Sequence, residues 1–178
     1  DASFNKKIAD TITAGITDFK TSVNADYKAR LETGGDDFAE QFEGSGVYTY
    51  EVTTDIVQSN DNYISAIIRI AGFSGGAHGY HNIITFNYNV ERHEYVDISN
   101  FQPMYFIAGS AREKLKEKFR SEGVLDANIE SMISDGTDEK NPENFKNFTF
   151  IPGSFTLYFS EYQVAPYVFG EQQVTLEI

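Results

Sequence analysis

Three histidines and a glycine-rich run are the residues of this chain whose types and spacing come nearest to a chemistry. His78 and His81 are three apart, and His93 follows beyond the next strand-like segment, so a three-histidine zinc site with metal-dependent hydrolysis is the sharpest enzymatic reading. The spacing argues against it. Ligands three apart share a face on a helix, whereas this pair straddles the glycines of Phe73-Ser74-Gly75-Gly76-Ala77-His78-Gly79 at the entry to a strand. No His-Glu-x-x-His pattern supplies two ligands and a base, and no metal or other cofactor is assigned. The glycines mark a backbone that turns, bulges or is closely approached, because only glycine takes such conformations at little steric cost. The run is either a structural kink or a binding edge, with Gly75, Gly76, Ala77 and His78 as the candidate contact residues.

A second unusual segment runs from Tyr158 through Glu161, Tyr162, Ala165, Pro166, Tyr167 and Phe169 to Gly170. Pro166 interrupts any regular element, which places Tyr162, Tyr167 and Phe169 on a loop or short turn near the surface. Tyrosine joins a large apolar area to a polar tip with only two side-chain torsions, which suits recognition. Tyr162, Pro166 and Tyr167 are therefore candidate binding residues, against the alternative that the segment is packed core. Other chemistries find less support. No Gly-Lys-Ser/Thr phosphate loop is present, and paired carboxylates in a chain with 27 acidic residues identify nothing without a separation.

The elements that must position these residues follow from periodicity. Phe4, Ile8, Ile12, Ile16, Phe19, Val23, Tyr27 and Leu31 recur at three and four, one face of a long helix opened by Asp1 or Ser3 and ended by Gly34-Gly35. An acidic connector from Asp36 to Gly46 follows, with Phe38 and Phe42 available to pin it to the core. From Val47 the period becomes two: Tyr48 to Ile56 alternates, a second strand runs from Tyr63 to Phe73 with Ile64, Ala66, Ile68 and Ile70 on one face, and a third reaches Val90. A short strand is expected from Tyr95 to Ile98. Pro103 opens a helix whose stripe is Ile107, Ala108, Ala111, Leu115 and Phe119, and Asp126 caps another. Phe148–Ile151 and Phe155–Phe159 form a hairpin over Pro152-Gly153, and Val174–Ile178 closes the sheet. The order predicts an α+β fold, an antiparallel meander with a long N-terminal helix and one or two further helices on one face. It is expected as a single domain over 1–178, comprising the helix of 1–35 and the α+β part of 47–178.

Composition narrows the partners. A net charge of −13 disfavours nucleic acid and anionic lipid and favours a basic protein. The absence of cysteine excludes disulfides and thiolate chemistry. No run reaches the roughly 18 apolar residues that cross a bilayer, and a start at Asp1 without methionine fits a processed ectodomain.

Gly75-Gly76-Ala77-His78, then Phe86-Asn87-Tyr88 and Asp97-Ile98-Ser99-Asn100-Phe101, resemble the extracytoplasmic domain at the C-terminus of RsiV-type anti-sigma factors. Tyr158-Phe159, Glu161-Tyr162, Ala165-Pro166-Tyr167 and Gly170 resemble that domain's closing signature. Similar domains precede the catalytic module of PdaC-type peptidoglycan deacetylases and occur alone in lipoproteins and secreted proteins. The resemblance implies an extracytoplasmic, non-enzymatic binding or sensory domain. In anti-sigma members it binds lysozyme, a strongly basic cell-wall hydrolase. The alternative that it implies is a carbohydrate-binding accessory domain directed at peptidoglycan. The deacetylase's metal and catalytic residues belong to its other module and have no counterpart here.

Overall fold

A computed structural model describes residues 1–45, 48–75 and 78–178, with 34–45 described by their backbone. The N-terminal stripe forms α1 (Ala2–Ser45). Asp1 caps it, since its Oδ1 accepts from the backbone N–H of Ser3 at 2.8 Å and of Phe4 at 3.1 Å. Phe4 and Val23 are buried, and Ile8, Ile12, Ile16, Phe19, Tyr27 and Leu31 are half-buried, so the predicted face is the packed one. The helix does not stop at Gly34-Gly35 but continues to Ser45. Each glycine costs about 1 kcal/mol relative to alanine yet keeps its N–H donor, and no proline follows before Ser45 to break the ladder. The expected connector is thus helical as far as Ser45. Gly46, and the side chains of Phe38 and Phe42, lie outside the described residues.

Among the described residues, seven strands divide into two antiparallel sheets rather than one. β1 (Thr49–Ser59), β2 (Tyr63–Phe73), β3 (Tyr80–Asn89) and β4 (Glu94–Tyr95) make the first in sequence order. β5 (Phe148–Ile151), β6 (Ser154–Phe159) and β7 (Gln172–Glu177) make the second. The class is α+β, as the element order implies.

Chain contacts define two compact units, Asp1–Val52 with Ile70–Tyr80, and Thr53–Arg69 with His81–Ile178. In the first, the Phe19 and Tyr50 rings lie 5.0 Å apart, and the Tyr48 hydroxyl reaches Asp26 Oδ2 at 3.5 Å.

The second unit has a core of its own. α2 (Met104–Ser121) turns Ile107, Ala108, Ala111, Leu115 and Phe119, all at 0% exposure, into one cluster with Ile129 and Ile133 of α3 (Ala127–Gly136) and with Phe155, Leu157, Val174 and Leu176 of the three-stranded sheet. Asp126 caps α3, as its spacing requires, accepting from Ile129 N–H at 2.8 Å. The strand expected over Tyr95–Ile98 is cut to Glu94–Tyr95 because Asp97 opens a 3₁₀ turn over Ile98–Asn100. Asp97 Oδ1 accepts from Ser99 N–H at 2.8 Å, and Asn100 Oδ1 accepts from Asp97 N–H at 3.0 Å.

Within this unit β2 is buried on both faces, not one: Ser65 and Ile67 are as inaccessible as Ile64, Ala66 and Ile68. The polar member of the second face explains how. Ser65 Oγ donates to Asn87 Oδ1 at 2.6 Å and accepts from Phe150 N–H at 3.1 Å, while Asn87 Nδ2 donates to the Phe148 carbonyl at 2.7 Å. Thr85 Oγ1 accepts from Phe148 N–H at 3.0 Å. Side chains of β2 and β3 therefore satisfy the outer backbone edge of β5.

Asn87→Ala removes both partners at once and strands a buried carbonyl. Its expected cost is about 1–3 kcal/mol in urea unfolding; a loss within about 0.5 kcal/mol, the range of neutral surface changes, contradicts the assigned role.

Candidate functional site

The segment from Ser160 to Glu171 joins β6 to β7 and is fastened at both ends. Gln163 is its anchor. Its backbone N–H donates to Ser160 O at 3.0 Å, its Oε1 accepts from Ser160 N–H at 3.2 Å, and its Nε2 donates to Gly136 O at 3.2 Å and Asn144 O at 2.9 Å. Val164 and Ala165 are buried. Gly136 at the end of α3 admits this contact because a Cβ there would collide with the Gln163 carbonyl oxygen. Pro166 then sets up a single 3₁₀ turn, Tyr167–Phe169. The Phe169 ring meets Phe119 edge-on at 5.4 Å. Gln172 closes the loop, donating from Nε2 to Phe169 O at 2.7 Å and accepting from Lys118 Nζ at 2.8 Å.

What this anchored loop displays is aromatic and apolar. Tyr162 is 58% exposed and Val168 82%, and the Tyr162 and Tyr167 rings stand 5.7 Å apart at 32°. Tyr162 takes a φ of 65°, the left-handed region that side-chain-bearing residues rarely occupy. Such strain persists only where surrounding contacts over-determine it, and the Gln163 anchor one residue on supplies them.

Beside the loop lies a charged cluster within the same unit. His81 Nδ1 is 2.7 Å from Glu161 Oε1, and His81 N–H donates to Glu161 Oε2 at 3.3 Å. Arg69 pairs with Asp55 at 2.9 Å and lies over the Tyr158 ring, 6.0 Å from its centre. Burial pushes the Glu171 carboxyl above its ordinary value; Arg69 and His81 oppose the shift and Glu161 adds to it.

The other candidates sit elsewhere. Gly75 has φ 86°, with the Tyr48 ring 3.1 Å from where a Cβ would stand, so a turn and a close approach both require glycine there. Gly76 and Ala77 lie outside the described residues. His78 is exposed, with Nδ1 2.7 Å from Gly79 O. The three histidines take different neighbours, since His81 faces Glu161 and His93 Nδ1 lies 3.5 Å from the Tyr88 hydroxyl. Among the described residues no three His, Asp or Glu side chains converge as a metal site requires. Gly72-Phe73-Ser74-Gly75-Gly76 has the spacing of a serine nucleophile elbow, but the chain there passes from β2 to β3 and not into the helix on which that elbow depends.

Sequence reasoning placed Tyr162, Pro166 and Tyr167 on one loop, and the structure does so. It missed Gln163, Arg69, Glu161 and Glu171 as the residues that hold and charge it. Gln163 lay inside the segment already singled out, whereas His81 and Glu161 are 80 residues apart, beyond any local pattern.

Fold and site together define an α+β chain that displays an anchored aromatic loop beside a charged cluster. Residues 97–178 match the family model of a protein of unknown function, DUF3298, and residues 1–81 match that of the deacetylase PdaC. These two matches support the shared domain of unknown function that the motifs pointed to. A DUF3298 family protein of Pseudomonas aeruginosa superposes with a TM-score of 0.51 at 16% identity, over 84% of this chain and 72% of that one. A member from Bacteroides fragilis gives 0.56 at 17%, over 85% of this chain and 60% of that one. At these identities the likeness establishes the fold alone. No curated protein matches the sequence. Among the described residues no helix is long and apolar enough to cross a membrane.

Glu171 provides a pH test. Its raised folded-state value means that its contribution to stability is complete below the ordinary carboxylate range and is lost as pH rises through the folded value. Glu171→Gln, which mimics the protonated form, is expected to be neutral at about pH 4 and stabilising at about pH 7, read as a shift in urea midpoint. A variant less stable than wild type at the higher pH contradicts the burial of this carboxyl.

Proposed function

We propose that this chain is a non-enzymatic, extracytoplasmic protein-binding domain that recognises a basic partner, a cell-wall hydrolase such as lysozyme, through the loop of residues 160–171. One observation carries the reading: Tyr162 is exposed in a strained backbone conformation on a loop that Gln163 and Gln172 anchor. A loop fixed before its partner arrives avoids the ordering cost of association. Tyrosines held in this way supply contact area at low entropic cost.

Charge supports the choice of partner. A net charge of −13 steers a cationic protein over roughly one Debye length, about 8 Å at physiological salt. Glu161 and Glu171 border the loop and supply local acceptors. Of the residues first singled out on the glycine segment, Gly75 has a structural reason for its identity. Gly76, Ala77 and His78 stay in the proposal as a second contact region.

Calorimetry against a c-type lysozyme at low and physiological salt tests this, with an equally basic unrelated protein as control. Saturable one-to-one binding confined to lysozyme and weakened by salt is expected. Tyr162→Ala and Tyr167→Ala should each weaken it by about 1–3 kcal/mol without altering the circular dichroism spectrum. Equal heats with both proteins, or unchanged affinity in both variants, overturns the assignment.

A further inference from the structure

A second preformed site lies in the same unit and is independent of the aromatic loop. Tyr63, Asn89, Arg92, Glu94, Val96, Asn100 and Phe101 line a pocket of ≈ 430 Å³, within the usual range for small-ligand sites. The motif Asp97-Ile98-Ser99-Asn100-Phe101, which the protein-binding reading leaves unused, contributes two of these residues.

Its walls are fixed from below. Phe150 of β5 is buried and meets Tyr63 edge-on at 5.3 Å and Phe101 at 4.9 Å, so both wall rings rest on a strand that Ser65, Thr85 and Asn87 hold in place. Its polar groups are fixed as well. Asn89 Oδ1 accepts from Arg92 N–H at 2.9 Å, and Asn100 Oδ1 accepts from Asp97 N–H at 3.0 Å. Each amide therefore spends its oxygen on a turn. Among the described residues neither amide nitrogen is given a protein acceptor, and both residues line the pocket, so each has a donor to offer a ligand there. In the turn that joins β3 to β4, His93 adopts φ 56°, a second side-chain-bearing residue in the left-handed region. Arg92 Nη1 stands 3.5 Å from Glu94 Oε1.

These groups select a ligand class. A carboxylate or phosphate ligand would call for unopposed cations, yet the Arg92 charge is met by Glu94 and the chain is strongly acidic. An apolar ligand would leave the amide donors and the ion pair without partners. A ligand with a flat C–H face for Tyr63 or Phe101, and with hydroxyls that both accept from amides and donate to Glu94, satisfies the whole lining. We propose that this pocket binds one ring of an uncharged oligosaccharide.

The test is a titration of the ¹⁵N-labelled full chain with two neutral probes, cellotriose and tri-N-acetylchitotriose. Dissociation constants of about millimolar order are expected, with shifts centred on Tyr63, Asn89, Asn100 and Phe101. Asn89→Asp and Asn100→Asp keep the oxygen that caps each turn and delete the donor, so the fold should persist while affinity falls about tenfold or more. Binding of either sugar with that loss supports the site, and the stronger of the two says whether an acetamido group is read. No shift with either sugar, shifts centred on residues 160–171, or undiminished binding in both variants overturns it. Sodium acetate is the third probe; saturable binding of acetate at this pocket, with the sugars silent, also overturns it.

Discussion

The free edge of β5 is the constraint on which the second unit depends. A strand at the end of a sheet presents unpaired N–H and C=O groups, which are costly when buried and adhesive when exposed. Here the Phe148 N–H and carbonyl and the Phe150 N–H meet Thr85, Asn87 and Ser65 in place of another strand's backbone. No buried side-chain polar atom among the described residues is left without a partner. Because the network is complete, burial strengthens it, whereas a missing member would leave a desolvated group behind. The rest follows in sequence. β5 sets the register of β6, with Phe148 opposite Leu157 and Phe150 opposite Phe155, and β6 sets that of β7. The same strand presents Phe150 as the floor under Tyr63 and Phe101.

The aromatic loop leaves this sheet at the end of β6 and re-enters it at β7, so its ends are spaced by strands already locked together. Within that span Gln163 does the most, because one side chain bonds to two carbonyls and to the start of the turn. The strained Tyr162 backbone is offset by those bonds and by the burial of Val164 and Ala165. Glu161 is held at His81, which fixes the residue just before Tyr162. The loop and the saccharide pocket thus share a design. Polar side chains satisfy backbone groups on one side and leave aromatic surface or amide donors facing outward on the other.

Legibility in the sequence followed the range of the interactions. Features set within a few residues were readable: the stripes of α1 and α2, the caps at Asp1 and Asp126, the Pro152-Gly153 hairpin and the aromatic loop. Gly34-Gly35 misled because a glycine pair is a weak stop when no proline follows it, and the helix continued to Ser45. The short strand expected over Tyr95–Ile98 was drawn too long because Asp97 could continue a strand or cap a turn, and only its bond to Ser99 decides. Features set across the chain left no local pattern. Ser65 looks like an outward polar residue of an alternating strand until Asn87 and Phe150 are placed beside it. The histidines invited a metal reading from spacing alone, and among the described residues no three His, Asp or Glu side chains converge.

The central claim, that a preformed loop is the recognition surface, is tested most directly by amide hydrogen exchange of the chain with and without a c-type lysozyme. Protection concentrated in residues 160–171, with exchange at Phe148 and Phe150 slow in both states, is the expected result. Protection confined to any other segment, or exchange over 160–171 that is already fast in the free chain and unchanged by the partner, would contradict it.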